Sequence, residues 1–130
     1  MNVPGLSVRK AHHSHADCLS RLEAAFSSRG IVPVARINHQ VAAANFGLPL
    51  APIALFLFGN PRAGTPLMEI SPTLGIDLPL KILVWESDGV VSIGYNDPVW
   101  LVQRHGGNTA SPILQAMRDL LEALSTEAAG

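Results

Sequence analysis

Ile53-Ala54-Leu55-Phe56-Leu57-Phe58 is an unbroken apolar run set between Pro52 and Gly59-Asn60-Pro61. It falls far short of the roughly 20 apolar residues that a membrane helix needs. Its length and its proline and glycine borders read as a strand. Such a strand carries apolar side chains on both faces, so it belongs inside a sheet. The spacing predicts a central strand, with helices over one face and a loop or another chain over the other.

The rest of the chain supplies that framework. Leu6 to Lys10 alternates apolar and polar residues and predicts a first strand. Ser14, with Asp17 behind it, caps a helix whose apolar stripe is Leu19, Leu22, Ala25 and Phe26, and Gly30 suits its left-handed exit. Ile31 to Ile37 predicts a second strand, at an edge or bulge because Pro33 cannot donate to a ladder. Asn38 caps a short helix from His39 to Phe46 that Gly47 closes. Thr65 and Pro66 read as the cap and first position of a helix running to about Ser71. Lys81 to Glu86 and Val90 to Asn96 flank Ser87-Asp88-Gly89, which predicts a hairpin. Asp97-Pro98 opens a helix through Arg104, and Ser111-Pro112 opens another to about Leu124, followed by a frayed tail from Ser125 to Gly130. The order is strand, helix, four strands interrupted by short helices, and closing helices. It predicts one α+β domain of two layers over residues 1–130.

Charge narrows the partners. Nine Lys+Arg against ten Asp+Glu give a net charge of −1, and the basic residues form no run, so nucleic acid is not expected as a partner. No segment is long and apolar enough to span a membrane. Charged residues make up 15% of the chain, against about 25% in typical soluble domains, and the resulting charge-poor surface favours a homodimer. The single Cys18 cannot form an internal disulfide, and no secretion signal opens the sequence, so the expected compartment is the cytoplasm.

Candidate site residues cluster at turns. Gly59 to Thr65 has the outer spacing of a phosphate loop but lacks its lysine, which excludes a nucleoside triphosphatase of that type. Asn60 and Thr65 can still orient an anion or a carbonyl beside a helix start, although the same residues also make ordinary turns and caps. Asp77 and Lys81 flank Leu78-Pro79-Leu80 and suggest a coupled pair, either structural or ligand-binding. His39 and His105 are the imidazoles placed for acid–base work or ligand contact, with helix capping the plainer role for His105 beside Arg104. His12, His13 and His15 lack an accompanying acidic or cysteine ligand and read as a solvated loop, not a metal site. Cys18 reads as a small core residue, and Trp85 and Trp100 as core or interface anchors.

Five separated segments carry a family resemblance. They are Asn38-His39, the stretch from Phe58-Gly59-Asn60-Pro61 to Gly64-Thr65-Pro66-Leu67-Met68, Asp77-Leu78-Pro79-Leu80-Lys81, Tyr95-Asn96-Asp97-Pro98, and Arg104-His105. In this order, over about Ser14 to Gly106, the chain resembles the domain of unknown function 302 family. The resemblance implies a curved, mostly antiparallel sheet backed by helices, similar to the TATA-binding-protein-like architecture, and a homodimer. It implies no reaction and no cofactor. Family members commonly carry aspartate where this chain has Asn38, and a neutral amide can hold an imidazole without stabilising its charged form. The residues therefore point first to a homodimer that binds a small polar or anionic ligand through Asn60, Thr65, Asp77, Lys81 and His39. An enzyme using His39 or His105 as general acid or base is the first alternative, and a purely structural dimer is the second.

Overall fold

The structure, a computed structural model, describes residues 2–130. Strands β1 (Leu6–Lys10), β2 (Ala35–Asn38), β3 (Ile53–Phe58), β4 (Leu80–Ser87) and β5 (Val90–Asn96) form one sheet. Every neighbouring pair in the order β1-β5-β4-β3-β2 is antiparallel. β4 is thus the middle strand, and β3 lies one place off centre between β4 and β2. The β4–β5 turn has Asp88 at φ 52° and Gly89 at φ 77°, the two left-handed positions that an Asp-Gly hairpin turn supplies.

Helices α1 (His15–Ser28) and α5 (Pro112–Ala129) pack against each other and cover one face of the sheet, α1 over β4 and α5 over β5 and β1. That face holds the core. Phe26 of α1 lies with its ring centroid 4.9 Å from that of Phe58 and 5.9 Å from that of Phe56, within the range of favourable tilted aromatic pairs. Leu22, Ile82, Val84, Ile93, Leu121 and Leu124 close around them. Cys18 is fully buried there, and burial pushes its thiol pKa up, the behaviour of a small core residue.

The opposite face explains the apolar run. Ala54, Phe56 and Phe58 are buried toward the helices, whereas Ile53, Leu55 and Leu57 are half-buried on the other side. Across the strands, Leu55 pairs with Leu83 and Ile37, and Leu83 with Gly94, which pairs with Val8. The Trp85 ring lies over Gly94, where an added Cβ would come within 3.0 Å of it. The second tryptophan, Trp100, rests on Gly5, whose φ of 75° and contact with the ring leave no room for a side chain.

Three predicted boundaries are corrected. β2 begins at Ala35, not Ile31, because Pro33 has no N–H for the ladder; only Val34 N–H, bonded to Leu57 O at 2.7 Å, extends the pairing. α3 spans Pro61–Ile70 with Asn60 as its cap, one turn before the predicted start at Thr65. Asn60 Oδ1 accepts from Arg62 N–H at 2.9 Å, so the helix is already running when Pro66 is reached. α5 continues to Ala129 in place of a frayed tail. Ser125, Ala128 and Ala129 are buried, Ala129 O accepts from His12 N–H at 2.9 Å, and Glu127 pairs with Arg29 at 2.6 Å.

Candidate functional site

The chemistry gathers at one corner of the sheet, where β4 begins. A 3-10 turn, Pro72–Ile76, follows α3 and delivers Asp77, and a cis Leu78–Pro79 bond then leads into β4. The end of β3 closes on this segment, since a Cβ at Gly59 would lie 3.2 Å from the Pro79 side chain. Helix α4 (Pro98–Arg104), capped by Asp97 through its bond with Val99 N–H, ends nearby and presents Arg104 and His105.

Asp77 is the hub. Its Oδ2 lies 2.5 Å from His105 Nε2 and 2.6 Å from Arg104 Nη1. Burial alone would push the Asp77 pKa up, but the hydrogen bonds and positive charge from His105 and Arg104 outweigh it and hold the carboxyl below its ordinary value. His105 Nδ1 in turn lies 2.8 Å from Thr73 Oγ1 in the 3-10 turn. An ionised carboxylate only accepts hydrogen bonds. In the neutral imidazole the proton therefore sits on Nε2, and Nδ1 accepts from the Thr73 hydroxyl.

Lys81 approaches the same segment from the strand. Its Nζ donates to Asp77 O and to Pro79 O, each at 3.0 Å, and not to the Asp77 carboxylate. The predicted Asp77–Lys81 coupling therefore runs through a backbone carbonyl, while the carboxylate belongs to His105 and Arg104. Burial lowers the Lys81 pKa, with the Asp77 charge opposing it.

The other predicted site residues are distributed around this corner or away from it. Asn60 is exposed and engaged as the α3 cap, and Thr65 is exposed within α3, beside the buried Gly64 that faces Leu78. His39 is exposed and follows Asn38, which caps α2 (His39–Ala44). Asn38 pairs with Ala54, whereas Lys81 pairs with Leu57, so His39 sits toward the opposite end of the sheet and is not brought to Asp77. Of the histidine-rich loop, His15 is tied down through Nε2 to Val84 O at 2.9 Å. Thr73 is the member of the group that sequence reasoning missed; nothing local marks a threonine in a proline-initiated turn as an imidazole partner.

A cleft of about 230 Å³ lies elsewhere, between β1, β5 and α5, lined by Ser7, Arg9, Tyr95 and Glu122 among others. There Tyr95 donates to Glu122 Oε2 at 3.1 Å, Arg9 pairs with Glu122 Oε1, and Arg9 Nε is buried without a hydrogen-bond partner among the described residues. Burial first and then Glu122 raise the Tyr95 pKa. This cleft does not border the Asp77 group.

Among curated proteins, the chain is 40% identical over 110 residues to a fluoride-specific ion channel of Brucella suis and, equally, to one of Brucella abortus. Each match covers 84% of this chain but only 43% and 41% of those proteins, so the chain spans less than half their length. No helix among the described residues is long and apolar enough to cross a membrane. Among solved structures, an uncharacterized conserved protein from Bacillus stearothermophilus superposes with a TM-score of 0.82 at 18% identity, over 97% of this chain and 99% of that one, and it shares the fold. The sequence model described as "Domain of unknown function DUF302" matches residues 7–124, and the chain belongs to that family.

Proposed function

We propose that this domain is a homodimer that binds a small anion at the corner built by Lys81, Arg104, His105 and Asp77, with Asn60 and Thr65 on the adjoining helix at its rim. One observation carries the reading. The Lys81 ammonium is half-buried and held by two backbone carbonyls, with no carboxylate partner among the described residues. Burying a cation without a directly bonded counter-charge is costly, the Asp77 charge offsets only part of that cost here, and an anion at this point would offset more of it. Arg104 adds a second positive charge, and Asp77 is the one carboxylate bonded to the group. The balance of charge favours an anion, and lysine binds anions as a point charge.

The Brucella relatives named as fluoride-specific channels make fluoride the first anion to test. In this reading the domain senses or holds the ion in the cytoplasm, while channel activity resides in the part of those relatives that this chain does not match. Thermal unfolding in sodium fluoride, chloride, acetate and phosphate, at constant ionic strength, tests it. A ligand bound by the folded state alone raises the midpoint in proportion to RT ln(1 + [L]/Kd). The midpoint should rise with one of these anions in the wild type and not in Lys81→Met. An equal response in both proteins would refute the site.

A further inference from the structure

We propose that Thr73 is an acyl-accepting nucleophile, activated by His105 and Asp77, and that this corner hydrolyses small carboxylic esters. The inference builds on the reading of the corner as an anion site, because a carboxylic acid would be the product. The connectivity is hydroxyl, imidazole, carboxylate, with 2.8 Å from Thr73 Oγ1 to His105 Nδ1 and 2.5 Å from His105 Nε2 to Asp77 Oδ2. That is the arrangement by which a base withdraws a hydroxyl proton while a carboxylate fixes the ring. Exposure grades in the sense a nucleophile requires. Thr73 is exposed, whereas the His105 and Asp77 side chains are 8% and 17% exposed.

Proton placement gives the relay a direction. Asp77, ionised and bonded to Arg104, accepts a hydrogen bond from His105 Nε2–H, so the Nδ1 lone pair faces the Thr73 hydroxyl. Thr73 Oγ then attacks the ester carbonyl carbon, and its proton moves to Nδ1. The carbonyl π pair shifts onto oxygen, at a corner where Arg104 and Lys81 supply positive potential. The pair returns as the C–O bond to the leaving alkoxide breaks, and the alkoxide takes the proton from Nδ1. Water attacks the resulting O-acyl-Thr73, gives a proton to Nδ1, and Thr73 leaves with that proton. The sum is ester plus water to acid plus alcohol, with no oxidant or metal.

A mere structural bond between the 3-10 turn and the end of α4 predicts none of this, and p-nitrophenyl acetate separates the two. The wild type should release p-nitrophenolate above the solution background and, when quenched early, carry one acetyl group on the peptide containing Thr73. Thr73→Val, a change at an exposed position, should abolish the label and return the rate to background. Thr73→Ser should retain the label, and His105→Gln should slow turnover about 100-fold or more. Acetylation confined to lysine or histidine, or a wild-type rate that Thr73→Val leaves unchanged, overturns the proposal. Anion titration of Thr73→Val keeps the two readings apart, since binding there is expected to survive even if the relay is wrong.

Discussion

Asp77 and His105 stand 28 residues apart in sequence and meet through Oδ2 and Nε2 at 2.5 Å. Neither belongs to regular structure. Asp77 ends a 3-10 turn and His105 ends α4, so the bond fastens two element ends that the sheet itself does not hold together. Arg104 shares the same oxygen and Thr73 the other ring nitrogen, so one carboxylate organises a chain of polar contacts at the surface. Such a chain is tightly coupled, and loss of its hub removes the partner of both Arg104 Nη1 and His105 Nε2.

Asp77→Asn should therefore destabilise the domain by about 1–3 kcal/mol at neutral pH. The pH dependence has a definite sign. Asp77 is held below its ordinary carboxyl value, so its stabilisation is present above the unfolded-state pKa of about 3.9 and lost as acid protonates the folded carboxylate. Urea denaturation from pH 7 to pH 2 should show the wild type and Asp77→Asn converging in strong acid. Parallel curves throughout would mean that Asp77 is not the hub.

Lys81 gives a slope of the same sign at alkaline pH, but there it is the charged form that the fold penalises. Burial depresses its pKa, so between the folded value and the unfolded value of about 10.4 the unfolded chain binds more protons. Stability then rises with pH across that interval, as the ammonium loses the charge that burial penalises. In denaturation between pH 8 and pH 10.5 the wild type should gain on Lys81→Met. If the difference between the two stays constant, the ammonium is solvated and the anion site loses its basis.

What was legible in the sequence follows from how local each cause is. The β4–β5 hairpin, the α1 cap at Ser14 and the α4 start at Asp97-Pro98 are each set by a few adjacent residues, and each stands where the sequence places it. The α3 start was ambiguous because Asn60-Pro61 and Thr65-Pro66 carry the same signal a turn apart. The earlier one wins although Pro66 lacks the N–H that would have bonded within the helix, because a helix already nucleated at Asn60 tolerates that single loss. The site was less legible. Lys81 is the nearest cation to Asp77 along the chain, yet the carboxylate turns to Arg104 and His105, which tertiary packing alone delivers. His105 was identifiable as an imidazole at a helix end, but its partners were not.

Gly64 lies inside α3 and is buried, and an added Cβ would sit 3.5 Å from Leu78 Cδ1 and 3.6 Å from Met68 Cε. Those are ordinary van der Waals separations, and a helical glycine costs about 0.5–1 kcal/mol relative to alanine. Gly64→Ala should raise the unfolding midpoint, as scanning calorimetry would record. A fall would show that the α3 interface with Leu78 is tighter than these distances indicate.

The last prediction concerns the open face of the sheet. Val8 is 56% exposed and Ile37 39% exposed, and between them Leu55 and Leu83 continue the same cross-strand row over the glycine that Trp85 covers. On a chain with 15% charged residues this row is apolar surface flanked on the same face by Lys10 and Lys81, each two residues along its strand from Val8 and Leu83. Its burial against a second copy would contribute roughly 25 cal/mol for each Å² removed from water, offset by the entropy of association. Light scattering at tens of micromolar should give twice the 13.8 kDa chain mass. Leu55→Asp should shift the protein toward the monomer. Val8→Lys, at the exposed end of the row where the fold has least to lose, should weaken association without lowering the unfolding midpoint extrapolated to low concentration. A wild type that runs as a monomer, or a dimer that both charges leave intact, would place the association elsewhere on the molecule or rule it out.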